Sequence, residues 1–208
     1  MTQLFTLFIA TFSAAFLASA PPGLLNVNAA KTSVEKGKNN GVMFGLGVAL
    51  MVMMQTYLAV RIAKYLSRNP EVIGMLLKTA LVVFAGLAVF FFLKARKENV
   101  KPLLQEKGKK SGSFTKGMFL AALNLLTVPY YSGLNSVFNS QGLMRYTISD
   151  EVVFILAAGL GTFLVMYLYV FYFNKMEHKT NRFSKNSNYI LSALMVLLFL
   201  ITLYRIYN

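Results

Sequence analysis

The chain has 208 residues, of which 56% are hydrophobic and 13% charged, and its 21 Lys and Arg residues outnumber its 7 Asp and Glu residues. This composition excludes an ordinary soluble domain and indicates a membrane protein. In such a protein the net charge of +14 is explained by basic cytoplasmic loops, and we expect no nucleic-acid partner. The lack of cysteine and the single histidine, His178, exclude disulfides, thiolate metal sites and histidine clusters, so no metal or cofactor is expected.

Uncharged intervals predict six membrane spans, because about 20 apolar residues cross a bilayer. The third interval contains one charge, Lys78, near its start, where a long side chain can reach the interface. The predicted spans are Met1 to Ala30, Asn39 to Val60, about Val72 to Leu93, Gly117 to Met144, Val152 to Asn174 and Asn186 to Tyr204. The predicted fold is therefore an all-α membrane protein with six transmembrane helices.

The first span is interrupted at Pro21-Pro22-Gly23. Two consecutive prolines remove two backbone donors, and their rings crowd the carbonyls of Leu17 and Ala18. Inside a bilayer such a break is tolerated only where protein or a water-filled cavity receives the freed groups. The fourth span contains a second proline, Pro129. We therefore predict broken first and fourth helices that border a central cavity.

The distribution of positive charge predicts the orientation of the chain. The segment from Lys94 to Lys116 is strongly basic, and the loops after the first, third and fifth spans together hold 15 of the 21 Lys and Arg residues. Basic loops remain in the cytoplasm, so both termini are predicted on the outside, which is the periplasm for a bacterial inner-membrane protein.

Two halves of the sequence share short matches in the same order. Phe16-Leu17-Ala18 matches Phe119-Leu120-Ala121, and Gly45-Leu46-Gly47 matches Gly159-Leu160-Gly161. Three spans reverse the direction of the next unit, which predicts two inverted three-helix repeats, residues 1–93 and 117–208, joined by the basic loop 94–116. The glycines, including Gly41, are interpreted as helix-packing surfaces and not as substrate contacts.

The polar residues within the spans are mostly uncharged and concentrate near the two breaks. In the fourth span Asn124, Thr127, Tyr131, Asn135 and Asn139 recur with helical spacing, which predicts one shared face. Any single amide could equally join two helices, but the grouping favours a lined cavity. The predicted substrate-binding residues are Pro21, Pro22, Gly23, Asn26, Asn28, Gln55, Asn124, Thr127, Pro129 and Tyr131.

No acidic residue lies in the middle of a predicted span, which argues against a metal-cation carrier. No nucleophile, base and orienting group are arranged for catalysis, so we expect no enzyme. The half-helix after Gly23 offers free N–H groups to a carboxylate, and freed carbonyls, at Leu125 among others, suit an ammonium. A zwitterion fits both, and the missing acid favours neutral amino acids. Arg61 could bind a carboxylate at the outer mouth, although extension to the interface is the preferred interpretation.

Several of these residues resemble a known family. Pro21-Pro22-Gly23 with Leu25-Asn26, Ala30-Lys31, Gly37, Gly41 and Gly45-Leu46-Gly47 is similar to the first repeat of the LysE (lysine exporter) family of amino-acid translocators. The family commonly has Pro-Gly-Pro at the first break and Asn-Pro-Lys at the second, where this chain has Val128-Pro129-Tyr130. The resemblance covers most of the chain and is most specific between residues 20 and 47.

The resemblance implies an exporter of amino acids or related metabolites in the bacterial inner membrane, driven by the proton-motive force. Its expected partners are a small-molecule substrate and the lipid bilayer, and a homo-oligomer is left open. A carrier of another small metabolite remains an alternative within transport. A membrane scaffold or assembly factor that transports nothing remains an alternative outside it.

Overall fold

The computed structural model describes residues 2–69, 71–72, 82, 85–86, 88–90, 92–93 and 112–207, with the side chains of 173–192, 194–195, 198, 201–202 and 205–207 excepted. The chain groups into two compact units. One comprises Met1–Ser67 and Gly108–Met176, and the other comprises Arg68–Lys107 and Glu177–Asn208. The predicted repeat boundaries remain a prediction. The first unit contains both helix breaks and is described below.

Six continuous helices lie within the described parts of the chain, and no strand occurs in those parts. They are α1 (Thr2–Ser19), α2 (Leu24–Lys36), α3 (Lys38–Arg68), α4 (Ser113–Ala122), α5 (Thr127–Ser140) and α6 (Ile148–Tyr207). Three helical segments, Thr2–Ser19, Lys38–Arg68 and Ile148–Tyr172, are long and apolar enough to cross a membrane. They coincide with the first, second and fifth predicted spans, and the protein is an all-α membrane protein.

The other predicted spans differ in outcome. The third lies largely outside the described residues. The fourth is divided into α4 and α5, neither of which is long enough to cross a bilayer alone. The fifth and sixth lie in the single 60-residue helix α6. The predicted separation between them is not seen, because the polar segment 175–185 contains neither Gly nor Pro to end a helix.

The first break lies where the sequence predicted it, since α1 ends at Ser19 and α2 begins at Leu24. The second break does not lie at Pro129. It occupies residues 123–126, and Pro129 lies in the first turn of α5. Backbone N–H groups in a first turn have no partner within their own helix, so a proline there removes no intrahelical hydrogen bond and the helix tolerates it.

Side-chain contacts show which helix ends lie together in this unit. The Gln3 amide donates to the Leu143 carbonyl at 3.0 Å, and Lys64 Nζ donates to the Tyr146 carbonyl at 3.3 Å. The start of α1, the C-terminal part of α3 and the turn between α5 and α6 therefore share one end. We call it the Gln3 end.

The opposite end is defined by two further contacts. Ser33 Oγ in α2 donates to the Val170 carbonyl in α6 at 3.1 Å, and Ser113 Oγ at the start of α4 donates to Asn40 Oδ1 at 3.2 Å. The pair α1–α2 thus runs away from the Gln3 end, whereas the pair α4–α5 runs towards it. The two broken helices cross this unit in opposite directions.

Two glycines allow helix backbones to touch. A Cβ atom on Gly47 in α3 would collide with the Phe114 carbonyl in α4, and one on Gly161 in α6 would lie 2.6 Å from the Phe12 carbonyl in α1. The packing interpretation of these glycines is confirmed. Gly47 and Gly161 occupy matching places in the two similar segments of sequence. Each joins the unbroken helix of one predicted repeat to the first half-helix of the other.

Aromatic side chains fill the core between α5 and α6. Phe154 is fully buried, and its ring meets the rings of Tyr131 and Phe138 edge-on, with centroids 6.1 Å and 6.2 Å apart. Such edge-to-face pairs stabilise beyond the area they bury. They fix the face of α5 that turns into the protein.

Candidate functional site at the two helix breaks

At the first break, backbone carbonyls are bound by side chains of the protein itself. The buried Asn26 amide donates to the carbonyls of Ser19 and Pro21, both at 2.8 Å. The Tyr169 hydroxyl of α6 donates to the Ala20 carbonyl at 3.0 Å. The sequence pointed to the carbonyls of Leu17 and Ala18, which lack the N–H groups of Pro21 and Pro22, whereas the side-chain bonds seen here are made to the next three carbonyls along the chain.

The second break is closed in a similar way. Gln55 of α3 donates through Nε2 to the carbonyls of Ala121 at 3.3 Å and Asn124 at 3.4 Å. The other amide atom, Gln55 Oε1, is buried and has no hydrogen-bond partner. Gln55 therefore stabilises the break through its donor and retains an acceptor inside the protein.

Gln55 and Tyr169 bind carbonyls of the two breaks from other helices, and they occupy equivalent positions. Gln55 follows Gly47 by eight residues, and Tyr169 follows Gly161 by the same number. Each lies on the unbroken helix of one predicted repeat and binds the break of the other. Because one residue is Gln and the other Tyr, the sequence gives no sign of this equivalence.

Both half-helices that begin at a break have uncapped N-termini. Gly23 precedes α2 and Leu126 precedes α5, and neither provides a side-chain hydrogen bond to the first turn. The first N–H groups of α2 therefore remain available, whereas in α5 the Thr127 N–H donates to the Asn124 carbonyl at 3.3 Å and Pro129 has no N–H. The helix dipole makes both ends partially positive, and the start of α2 is the better suited of the two to a negative charge.

The ten predicted site residues differ in exposure and in partners. The structure joins Asn26 to Pro21 and Gln55 to Asn124, as described above. Asn28 bonds only within its own helix, to the Leu24 carbonyl at 2.8 Å. The exposed members are Pro21, Gly23, Asn124 and Pro129, the half-buried members are Pro22, Asn28 and Gln55, and the buried members are Asn26, Thr127 and Tyr131.

The predicted polar face of α5 is seen for Thr127, Tyr131 and Asn135, all of which are buried. Asn124 precedes the helix and does not belong to that face. Asn139 instead donates to the Met144 carbonyl at 2.7 Å, which fixes the turn after α5. The face is therefore shorter than the sequence predicted.

Several buried polar atoms in this unit have no hydrogen-bond partner. Both amide atoms of Asn135 are in this state, and so are the hydroxyls of Thr11 and Thr56. All three residues are fully buried and belong to different helices, α5, α1 and α3. Buried polar groups in proteins are nearly always paired, so a polar ligand could form hydrogen bonds with these atoms.

A cleft of about 270 Å³ lies beside the first break. Its lining residues are apolar apart from two tyrosines, Tyr169 and Tyr172, and the Tyr169 hydroxyl already donates to the Ala20 carbonyl. Such a surface suits a hydrocarbon group and not a charged one. The lining residues are Phe16, Ala20, Val165, Leu168, Tyr169 and Tyr172.

The sequence did not reveal a charged cluster at the Gln3 end. Arg61 of α3 does not simply extend to the interface, because it forms an ion pair with Glu151 in the first turn of α6. Lys64 binds the other carboxylate oxygen of Glu151 at 2.9 Å. Glu151 is buried, although the sequence places it at the edge of a span. Its partners are far away in the chain, so local pattern could not show the pairing.

Discontinuous membrane helices whose half-helices begin at the breaks are an arrangement found in many secondary transporters. The family model for the LysE type translocator matches residues 6–205, and the chain belongs to that family. It is a multi-pass membrane protein of a family that transports amino acids or related metabolites and is not a family of enzymes. No curated protein and no solved structure matched the chain.

Proposed function

We propose that this protein exports amino acids, with neutral ones preferred, across the bacterial inner membrane by alternating access driven by the proton-motive force. The observation that carries the proposal is the pair of uncapped helix N-termini at breaks that belong to oppositely directed helix pairs. Half-helices of this kind bind anionic substrate groups in many secondary transporters. Membership of the translocator family supports the same conclusion.

The substrate carboxylate is proposed to bind at the start of α2, where the N–H groups that follow Gly23 lack a side-chain cap. The start of α5 offers fewer donors, because Pro129 removes one of them. The carboxylate is therefore assigned to the first break. This agrees with the stronger similarity of that segment to the family.

The substrate ammonium is proposed to bind near the second break. The carbonyls of Ala121 and Asn124 each accept from Gln55 and from a backbone N–H group, that of Asn124 and that of Thr127, so both lone pairs of each oxygen are used. The buried Gln55 Oε1 is an acceptor without a partner. It can accept one of the three donors of an ammonium.

The preference for neutral amino acids follows from the positions of the carboxylates. Among the described residues, the buried ones are Asp150 and Glu151, both at the Gln3 end. Asp150 accepts from the Arg145 backbone at 2.9 Å, and Glu151 binds two basic residues. Neither is free beside the breaks to bind the second positive charge of lysine or arginine.

Alternating access is supported by the paired arrangement of the helices. The two broken helices run in opposite directions. Gly47 and Gln55 of α3 contact the second broken helix, and Gly161 and Tyr169 of α6 contact the first in the same way. Inverted repeats of this kind exchange conformations when one repeat moves against the other.

The test is flux measured with purified protein in liposomes. Radiolabelled leucine, threonine, lysine and arginine are supplied singly, with and without an imposed proton gradient. We expect the neutral amino acids to move faster, and the gradient to increase their transport. Strong preference for lysine or arginine contradicts the assigned specificity. If no labelled solute, including other small metabolites, moves under any gradient, the protein is a scaffold or assembly factor and not a transporter.

A further inference from the structure

The cluster at the Gln3 end joins the two unbroken helices of the first unit through one carboxylate. Glu151 in α6 is only 6% exposed, and both of its oxygens bind basic side chains of α3. Asp150, its neighbour, differs because its Oδ2 accepts from the Arg145 backbone and so shapes the preceding turn. Of these two carboxylates, Glu151 is the one that connects α6 with α3 through ion pairs.

The groups that face Glu151 come from both helices and from the turn before α6. Arg61 and Lys64 lie on α3, and the guanidinium of Arg61 also stacks on the Tyr57 ring at 4.8 Å. Lys64 lies 5.9 Å from the centre of the Tyr146 ring. Burial, together with the nearby Glu151 carboxylate, raises the pKa of the Tyr146 hydroxyl above its ordinary value, and this group is neutral.

A buried carboxylate is stable as an anion only while its partners remain. Removing them takes away the positive charges that favour the anion, so the carboxylate binds a proton more readily than when it is paired. Because Arg61 and Lys64 lie on α3 and Glu151 lies on α6, separating the two helices at this end breaks both pairs together. Conformation and protonation are therefore linked at a single residue.

We propose that Glu151 carries the coupled proton, an inference that rests on the transport function proposed above. When the Gln3 end opens, the ion pairs with Arg61 and Lys64 break, and one Glu151 oxygen takes a proton from the compartment that this end faces. When the end closes, the two cations return and displace that proton into the interior, which is then open to the opposite compartment. One proton crosses per cycle, and no bond other than O–H forms or breaks.

The substitution Glu151→Gln tests the proposal because glutamine keeps the shape and cannot carry a proton. We expect gradient-driven accumulation of leucine in liposomes to be lost, falling to the level reached without a gradient. Exchange of labelled for unlabelled leucine without a gradient should persist. The control is Glu35→Gln, which removes a carboxylate from the exposed Lys31–Glu35 pair, 3.7 Å apart, and should change neither activity.

The outcomes separate this inference from the proposed function. If the unaltered protein moves no amino acid, the proposed function fails, whatever Glu151 does. If the unaltered protein transports leucine and Glu151→Gln keeps gradient-driven accumulation, the coupling role is overturned. Loss of both accumulation and exchange in a folded variant also overturns it, because Glu151 then acts only as a structural clamp.

A second measurement follows the opening of the Gln3 end directly. The chain has no cysteine, so Asn135→Cys places a single thiol at a fully buried position. Its reaction with an impermeant thiol reagent is compared with that of Ser140→Cys, an exposed position, to remove the pH dependence of the thiol itself. We expect this ratio to rise in acid, and to be high at every pH when Glu151→Gln is also present. A ratio that does not change with pH in the presence of Glu151 overturns the proposal.

Discussion

At the scale of single residues, side chains stabilise the two breaks by binding their backbone carbonyls. Asn26 and Gln55 each donate to two backbone carbonyls, and Tyr169 donates to one more. A buried carbonyl that loses its partner costs more than an average hydrogen bond gains. These side chains therefore stabilise the breaks before any ligand is considered.

The substitution Asn26→Leu tests this role. It removes the donor to the carbonyls of Ser19 and Pro21 and should lower the free energy of unfolding by about 1 to 3 kcal/mol. The matched control is Asn28→Leu, which loses only one bond inside α2. Thermal unfolding of both variants in detergent measures the difference. Equal stability of the two variants would show that Asn26 does not hold the break.

At the same scale, the sequence identified the polar residues near the breaks but not what they bind. Asn26 and Gln55 were predicted as cavity residues, and the structure shows their donors bound to backbone carbonyls. Every residue type has a backbone carbonyl, so the sequence does not show which carbonyls these amides bind. Glu151 was missed for a related reason, since it lies beside Asp150 at the edge of an apolar run and its burial depends on Arg61 and Lys64.

At the scale of helices, prolines have different effects according to position. Pro21 and Pro22 end α1, whereas Pro129 lies in the first turn of α5. In sequence both cases look like a proline inside an apolar segment. The difference comes from the turn at 123–126, which forms without Gly or Pro. The first break could therefore be predicted accurately and the second only approximately.

The double substitution Pro21→Ala with Pro22→Ala should allow α1 and α2 to join, because both missing donors return. We expect transport to be lost while the protein remains in the membrane, and amides between Ser19 and Leu24 to become protected from hydrogen exchange. Pro129→Ala is the control for backbone structure. It should leave amides in the 123–126 turn as exchangeable as before. Unaltered flux in the double variant would contradict the cavity at this break.

The helix contact at Gly47 gives a second test at this scale. Gly47→Ala forces α3 away from the Phe114 carbonyl of α4, and overpacking of this kind costs about 1 to 3 kcal/mol. Gly133→Ala in α5 is the matched control, because a Cβ there meets nothing within 4 Å. It should be neutral or stabilise by up to about 1 kcal/mol, since alanine favours a helix. Thermal unfolding in detergent compares the two, and equal effects would contradict the close packing.

At the scale of the whole molecule, class and family could be predicted from the sequence, and much of the helix arrangement could not. Apolar intervals predicted the first, second and fifth spans, and the segment around Pro21-Pro22-Gly23 pointed to the translocator family that the family model shows. The polar interval 175–185 predicts an end to the fifth span. The helix α6 continues through it, because polarity without Gly or Pro does not stop a helix.

The orientation of the chain is the prediction that belongs to this scale. Positive charge places the Gln3 end outside and the opposite end, with Lys36, in the cytoplasm. In intact cells an impermeant thiol reagent should label Ser140→Cys, whereas Lys36→Cys should react only after the membrane is permeabilised. Both positions are exposed, so accessibility differs only by side. The reverse pattern of labelling would invert the orientation.

The way in which the breaks are stabilised determines whether a bound substrate is needed to complete their hydrogen bonds. Asn26, Gln55 and Tyr169 bind the interrupted backbone from within the protein, so these bonds need no cargo to complete them. If the protein exports as proposed, it can therefore return without bound substrate, which net export requires.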